Sequence, residues 1–204
     1  MANYKTPDFW TLKAQRENYP ARSVFKLKEI DEKFGLLPRN KTKHPFKVLD
    51  LGAAPGSWSM YVLRRMKDSV FLVSCDLTGM RFESTGNLRV LKGDFTQPDV
   101  RAMIAGSGPY NLILSDAAPA TSGSRVLDTD RSLVLAEAAM QYADTLLFTG
   151  GHCAVKLFQG GETAEFLKRV RPAFDKVKVF KPAACRSSSF ETYLVALGKK
   201  QCRG

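Results

Sequence analysis

Short apolar runs alternate with helical patterns along most of the chain, and this alternation constrains the fold more than any other feature of the sequence. The apolar runs cover residues 47–51, 70–75, 88–91, 110–115, 151–156, 176–180 and 192–197. Between them, helical patterns cover residues 58–66, 98–105, 128–148 and 162–171. Strands that alternate with helices form a mostly parallel sheet with helices on both faces. The sequence therefore predicts an α/β fold with a doubly wound, seven-stranded sheet.

A basic segment precedes the alternating region. Residues 1–47 hold 11 lysines and arginines against 5 acidic residues, and the whole 204-residue chain carries a formal net charge of +11. Within this segment, residues 21–35 have apolar side chains at helical spacing, and Gly35 can end such a helix. We therefore expect one domain spanning the whole chain, with a basic helical arm at 1–45 and a core at 46–204. The charge indicates an RNA or DNA partner.

Several classes of protein are excluded. No apolar run approaches the roughly 20 residues that a membrane span needs, and the first residues lack the apolar stretch of a secretory signal. The four cysteines never form a CxxC pair, and neither histidine completes a zinc pattern with them. We expect a cytoplasmic protein with reduced cysteines, no metal site and no membrane contact.

A glycine-containing turn follows the first strand, in the segment DLGAAPGSW at residues 50–58. Gly52 and Gly56 allow the backbone to turn sharply and to approach a ligand closely. The segment matches neither the phosphate loop GxxxxGK[ST] nor the dinucleotide pattern GxGxxG. Doubly wound sheets bind ligands beyond the carboxyl ends of their strands, so this turn is the candidate binding site.

Acidic residues end or follow three consecutive strands. They are Asp50, Asp76 and Asp94, and Phe95 adds an aromatic face beside the last of them. Asp76 lies about 20 residues beyond the turn, where a carboxylate can accept hydrogen bonds from ribose hydroxyls. Any one of these residues could simply cap its own loop. Together with the turn, they favour an adenosine-containing ligand without a pyrophosphate.

The chain contains DLGAAPGSW at 50–58, GDF at 93–95, SDAAP at 115–119 and AVK at 154–156. These four motifs resemble the FtsJ/RrmJ family of S-adenosylmethionine-dependent RNA ribose 2′-O-methyltransferases. The resemblance extends from ARSVFK at 21–26 to SFETY at 189–193. One departure is Ser57, where the family usually has a second glycine. The resemblance implies a Rossmann-like, class I methyltransferase fold and S-adenosyl-L-methionine as the cofactor.

The resemblance also implies the residues of the site. The implied catalytic tetrad is Lys26, Asp116, Lys156 and Glu191. The implied cofactor-binding residues are Asp50, Gly52, Ala53, Pro55, Gly56, Trp58, Asp76, Asp94, Phe95 and Asp116. No metal is implied.

A ribose hydroxyl needs help to lose its proton, and it must be held in line with the methyl group. Because neighbouring ammonium groups disfavour each other's protonated form, Lys156 is implied as the base or as the group that steers the hydroxyl. Lys26 would tune it and contact RNA, while Asp116 and Glu191 orient the ammonium groups. Each residue alone could instead form an ordinary ion pair. The SDAAP motif differs from the [DN]PP[YF] motif of adenine N-methyltransferases, which favours an oxygen acceptor.

The expected substrate is structured RNA, with a uridine of the large-subunit 23S rRNA as the target. The candidate phosphate contacts are Lys5, Lys13, Arg16, Arg22, Lys28 and Arg186. Two alternatives stay open from the sequence. One is a transfer-RNA ribose 2′-O-methyltransferase, and the other is a non-catalytic RNA-binding ribosome-assembly factor on the same fold. We expect a monomer without an obligate protein partner.

Overall fold

The computed structural model describes residues 7–40, 42 and 44–201, which contain one seven-stranded sheet. The strands are β1 (Phe46–Leu51), β2 (Val70–Asp76), β3 (Leu88–Lys92), β4 (Tyr110–Ser115), β5 (Leu147–Phe158), β6 (Phe174–Phe180) and β7 (Glu191–Lys199). Their order across the sheet is β3-β2-β1-β4-β5-β7-β6. β7 runs antiparallel to β5 and β6, and the other pairs are parallel. The mostly parallel, seven-stranded sheet predicted from the sequence is confirmed.

The helices connect the strands across the two faces of this sheet. They are α1 (Phe9–Arg16), α2 (Val24–Phe34), α3 (Ser57–Met66), α4 (Pro98–Ala105), α5 (Arg125–Leu146) and α6 (Thr163–Val170). α5 begins at Arg125 instead of Asp128 because the side chain of Ser124 caps the amide of Leu127. Helix α1, whose N-cap is Asp8, was not predicted from the sequence.

Both faces of the sheet are buried, because alternate strand residues point to opposite sides. Val48 and Leu72 face the side covered by α2 and α3, whereas Leu49 and Val73 face the side covered by α4, α5 and α6. All four side chains are completely buried. The core therefore has two hydrophobic layers, and the edge at which the strands end is left to form a site.

The predicted N-terminal extension is not confirmed, because α2 belongs to one of these layers. Val24, Leu27 and Ile30 are completely buried in the layer that also contains Val48. Gly35 ends α2 in the left-handed conformation, with φ of +67°, as the sequence predicted. The helical spacing correctly indicated an apolar face, and the sheet covers that face.

Within the described residues, no helix combines the length and the apolar character that crossing a membrane requires.

Candidate active site

The turn after β1 meets the turn after β4 at the point where the strand order reverses. Gly52 has a φ of +68°, and a Cβ atom added to it would lie 2.5 Å from the Cα atom of Ala117. Only glycine allows this approach without displacing the neighbouring backbone. The two turns therefore form a close-packed floor at the carboxyl edge of the sheet, where doubly wound folds bind ligands.

A cavity of about 470 Å³ opens over this floor. Its size falls within the range of roughly 300–1,000 Å³ that is usual for small-molecule sites. Of the predicted cofactor-binding residues, the cavity is lined by Gly52, Asp76, Asp94, Phe95 and Asp116. Asp76, Asp94 and Asp116 therefore converge on one cavity, whereas Asp50, the first of the three acidic residues predicted for an adenosine site, does not line it.

Asp76 and Asp94 also organise their own loops. Asp76 Oδ2 accepts a hydrogen bond of 2.9 Å from the amide of Ala54, and Oδ1 accepts two from Thr78. Asp94 Oδ1 accepts two hydrogen bonds from Thr96, which lower the pKa of Asp94. The loop-capping role and the ligand role are compatible, because a carboxylate offers about four acceptor positions.

The remaining predicted cofactor residues lie behind the cavity wall. Ala53 is buried beside Gly52, and Pro55 follows a cis peptide bond. A Cβ atom at Gly56 would lie 2.5 Å from the ring of Phe82. Trp58 is buried, and its Nε1 donates a hydrogen bond of 2.8 Å to the carbonyl of Ser23. These residues shape the turn and connect it to the start of α2.

Ser57, the departure from the family pattern, contributes to the same connection. Its side chain is buried, and Oγ accepts a hydrogen bond of 2.7 Å from the amide of Ala21. The serine hydroxyl thus fixes the segment that leads into α2, which a glycine could not do.

Asp50 is completely buried beneath the turn. Its Oδ2 accepts a hydrogen bond of 2.6 Å from Ser59 Oγ, whereas Oδ1 has no hydrogen-bond partner among the described residues. Burial raises the pKa of Asp50 to about 7, against the opposing effect of the Ser59 hydrogen bond. This residue supports the turn from below and does not line the cavity.

The four predicted catalytic residues are brought together in two ion pairs next to the cavity. Lys156 Nζ lies 2.7 Å from Asp116 Oδ1, and Lys26 Nζ lies 2.5 Å from Glu191 Oε1. All four side chains are at most 16% exposed. Three of them come from strand ends or the residue after a strand, and Lys26 comes from α2.

The hydroxyl of Tyr193, a residue that was not predicted from the sequence, joins the two ion pairs. Tyr193 Oη lies 2.7 Å from Asp116 Oδ1 and 2.8 Å from Glu191 Oε1. Its ring is completely buried against Trp58. The signal was present in the sequence, because residues two apart on a strand share a face and Tyr193 follows Glu191 at that spacing.

The opposite charges in this cluster stabilise the ionised forms of Lys26 and Glu191. Burial alone would lower the pKa of Lys26, but the carboxylates of Asp116 and Glu191 outweigh it and raise that pKa. Burial alone would raise the pKa of Glu191, but the ammonium groups of Lys156 and Lys26 outweigh it and lower that pKa. Burial and the two carboxylates raise the pKa of Tyr193 well above its usual value, so its hydroxyl stays protonated and donates.

A larger cavity, of about 920 Å³, lies at the opposite edge of the sheet, at the amino ends of β1, β2 and β4. Lys47 lines it, and its ammonium group is bonded to the carbonyls of Ser107 and Gly108. We place the functional site at the smaller cavity because the ion pairs lie there and because doubly wound sheets bind ligands at the carboxyl edge. In the described part of the chain, no group of three or more potential metal ligands converges.

The predicted phosphate contacts have different surroundings. Arg22 is paired with Asp8 and with the carbonyl of Ala184, so it serves the structure. Lys28 is paired with Glu17 at 2.8 Å.

The other predicted contacts are more exposed or lie elsewhere. The Lys13 ammonium lies over the rings of Trp10 and Phe25, and Arg16 and Arg186 are exposed. Lys5 lies outside the described residues.

The doubly wound sheet and the cavity at its carboxyl edge define a class I S-adenosylmethionine-dependent methyltransferase fold. The fold is shared with human methyltransferase-like protein 13, whose crystal structure in complex with SAH has a TM-score of 0.62 at 15% identity and covers 87% of this chain and 83% of that one. The FtsJ-like methyltransferase model matches residues 19–199. The chain belongs to the FtsJ-like methyltransferase family.

Relatives with similar sequences share nearly the whole chain. The ribosomal RNA large subunit methyltransferase E of Treponema denticola is 45% identical over 198 residues, which is 97% of each chain. The protein of the same name from Syntrophobacter fumaroxidans is 41% identical and covers 96% of this chain and 97% of its own. A crystal structure described as a ribosomal RNA methyltransferase from Plasmodium falciparum has a TM-score of 0.75 at 26% identity and covers 89% of this chain and 98% of that one.

Proposed function

We propose that this protein transfers the methyl group of S-adenosylmethionine to the 2′-hydroxyl of a uridine in the large-subunit 23S rRNA. The observation that carries the proposal is the cluster of two ion pairs, Lys156–Asp116 and Lys26–Glu191, beside the cavity at the carboxyl edge of the sheet. The family membership and the names of the similar relatives support the choice of RNA.

The cavity fits the cofactor by the chemistry of its lining. The carboxylates of Asp76 and Asp94 are acceptors for ribose and adenine donors, and the turns packed together at Gly52 and Ala117 form the floor of the cavity. Phe95 gives the cavity an aromatic wall, and Tyr142 supports it from behind. When bound, S-adenosylmethionine supplies the electrophilic methyl group, so the protein has to position the acceptor and manage its proton.

We assign the binding of the acceptor hydroxyl to the ammonium group of Lys156. Two of the three hydrogens of its ammonium group are engaged by Asp116, since Nζ lies 2.7 Å from Oδ1 and 2.8 Å from the backbone carbonyl. The direction of the remaining hydrogen fixes where an acceptor oxygen binds. Lys156 then orients the hydroxyl by donating this hydrogen to its oxygen, and Asp116 holds the lysine in place. As the oxygen takes the methyl group, the hydroxyl proton passes to solvent.

The second ion pair, Lys26–Glu191, places a fixed positive charge next to the position of the acceptor oxygen. Lys26 stays protonated at neutral pH because its pKa is raised, and Glu191 stays ionised because its pKa is lowered. The Lys26 ammonium therefore stabilises negative charge on the acceptor oxygen and on the adjacent RNA phosphate. Tyr193 keeps the two pairs at a fixed separation.

The RNA backbone reaches the site along the basic side of α1 and α2, where Lys13 and Arg16 are candidates for phosphate contacts. Such contacts give salt-dependent affinity with little sequence preference, so the shape of the RNA selects the target. We expect the protein to act as a monomer in the cytoplasm. The relatives' names do not favour the transfer-RNA alternative, and the complete tetrad does not favour a non-catalytic role.

The test is methyl transfer from labelled S-adenosylmethionine to assembled large ribosomal subunits, naked 23S rRNA and transfer RNA. We expect label in large-subunit RNA with the native protein and with Lys178→Ala, which changes an exposed lysine on β6. Lys156→Ala should bind the cofactor but transfer no label. Undiminished transfer by Lys156→Ala would overturn the assignment of the site, and transfer to transfer RNA alone would overturn the substrate.

A further inference from the structure

Helix α2 is bonded to the irregular segment at residues 181–190, which connects β6 to β7. The carboxylate of Glu29 accepts hydrogen bonds from two consecutive backbone amides of this segment. The distances are 2.7 Å from the Ala183 amide to Oε2 and 2.8 Å from the Ala184 amide to Oε1. Arg22, which lies two residues before the start of α2, donates a hydrogen bond to the Ala184 carbonyl. The backbone around Ala184 is therefore held on both its amide and its carbonyl side.

The contact with Glu29 has the features of a strong attachment. Hydrogen bonds to an ionised acceptor are shorter and stronger than those between neutral groups. Both oxygens of one carboxylate are used, so the orientation of the segment is fixed as well as its distance. The hydrogen bond from the Ala184 amide is partly buried over the buried residues Ala184 and Cys185, whereas the one from the Ala183 amide is exposed to solvent.

The attached segment leads directly to the proposed site. It ends at Phe190, and the next residue is Glu191, the first residue of β7. The buried thiol of Cys185 lies 3.5 Å from Glu191 Oε1, so the segment also touches the carboxylate from the side. The position of residues 181–190 therefore determines where the Glu191 carboxylate lies.

Glu29 and Lys26 lie three residues apart on α2, so they are on the same face of the helix. Lys26 forms the 2.5 Å ion pair with Glu191. On one face of α2, Glu29 thus holds residues 181–190, and Lys26 pairs with the side-chain carboxylate of Glu191, the residue that follows them. This arrangement sets the distance between the helix and the start of β7 at two points.

We propose that Glu29 is a positioning residue, which holds residues 181–190 on α2 so that Glu191 and Lys26 form their ion pair in the geometry the reaction needs. The inference rests on the proposed function, since it assigns Glu29 to the same site. Glu29 does not touch the reacting atoms. It acts through Glu191, and displacement of that carboxylate by about 1 Å is enough to reduce a rate strongly.

The test compares Glu29→Gln with Glu32→Gln, which changes an exposed glutamate on the same helix. A glutamine at position 29 can accept only one of the two amide hydrogens, and its own NH₂ group then faces the other amide. We expect Glu29→Gln to lower kcat roughly tenfold and to leave the cofactor Kd unchanged. Glu32→Gln should behave like the native protein.

A second measurement reads the segment directly and does not need activity. The rate at which a thiol reagent modifies Cys185, located by peptide mass mapping, reports how often the segment opens. We expect Glu29→Gln to raise this rate roughly tenfold, while the rate at the buried Cys75 stays unchanged. An unchanged rate at Cys185 would overturn the proposed attachment. Because this readout is independent of methyl transfer, it remains decisive if the native protein methylates no RNA.

A double-mutant comparison separates positioning from general destabilisation. If Glu29 acts through Glu191, the loss of kcat caused by Glu29→Gln should disappear when Glu191 is already replaced by glutamine. A loss of the same factor in the Glu191→Gln background would overturn the positioning role. Unchanged kcat in the single variant, in an otherwise active protein, would do the same.

Discussion

Replacement of Gly52 by alanine should damage both the stability of the fold and the cofactor cavity. The added Cβ atom would lie 2.5 Å from Ala117 Cα and 2.6 Å from Ala117 N. These are backbone atoms, so the turns after β1 and β4 would have to separate. The matched control is Gly35→Ala, because Gly35 has a φ of +67° against +68° for Gly52 but would meet nothing within 4 Å.

The two variants share one cost and differ in another. A non-glycine residue in the left-handed region costs about 1–2 kcal/mol, and both variants should lose that amount. Overpacking against backbone adds about 1–3 kcal/mol, and only Gly52→Ala should lose it. For a chain of this length, about 2–4 °C of melting temperature corresponds to each kcal/mol. We therefore expect Gly52→Ala to melt roughly 2–12 °C below Gly35→Ala.

The assay combines thermal unfolding by circular dichroism with calorimetric titration of S-adenosylmethionine. The separation of the turns should also weaken cofactor binding in Gly52→Ala, by about tenfold or more, because a shift of the backbone by an ångström breaks the contacts of a bound ligand. Gly35→Ala should bind normally, since Gly35 lies at the end of α2. Equal losses of stability and unchanged binding in both variants would refute the argument from close approach.

Two further predictions concern Tyr193 and Asp50. Tyr193→Phe removes the hydroxyl that joins Asp116 to Glu191, so kcat should fall about tenfold while the cofactor Kd stays the same. Asp50 binds its proton more tightly in the folded state, because burial raises its pKa from 3.8 to about 7. Stability should therefore decline as the pH rises from about 4 to about 7, and Asp50→Asn should remove that decline in melting curves at about pH 5 and about pH 8.

Each of these predictions has a clear contrary result. For the tyrosine, unchanged kcat in Tyr193→Phe would show that the ion pairs keep their geometry without the bridge. For the aspartate, the same change in melting temperature between the two pH values in both proteins would show that Asp50 is not the titrating group.

The part of the site that lies at the carboxyl ends of the strands was predictable from the sequence. Gly52, Asp76 and Asp94 follow strands that the apolar pattern marks clearly, and parallel strands deliver their carboxyl ends to one edge. The catalytic positions Lys26 and Glu191 needed the family resemblance. They lie 165 positions apart in the numbering, and no local pattern predicts that they meet.

The remainder of the site depends on tertiary packing. The spacing of two places Tyr193 on the same strand face as Glu191. A tyrosine inside an apolar strand nevertheless indicates core, and only the fold shows that two carboxylates lie within reach of its hydroxyl. The same limit explains the N-terminal region. The spacing from Val24 to Ile30 indicated an apolar face, but it could not show that the sheet covers that face. Glu29 was passed over for the same reason, since its partners are backbone amides that carry no signal in the sequence.

The position of the transferred methyl group on the RNA shows whether the acceptor is a ribose oxygen. RNA labelled by the protein is hydrolysed in alkali, which needs a free 2′-hydroxyl beside each cleaved phosphodiester. We expect the phosphodiester beside the labelled ribose to resist hydrolysis, so that the label is recovered in dinucleotides, and we expect no label with Lys156→Ala. Label recovered in mononucleotides would place the methyl group on a base and would overturn the assignment of a ribose acceptor.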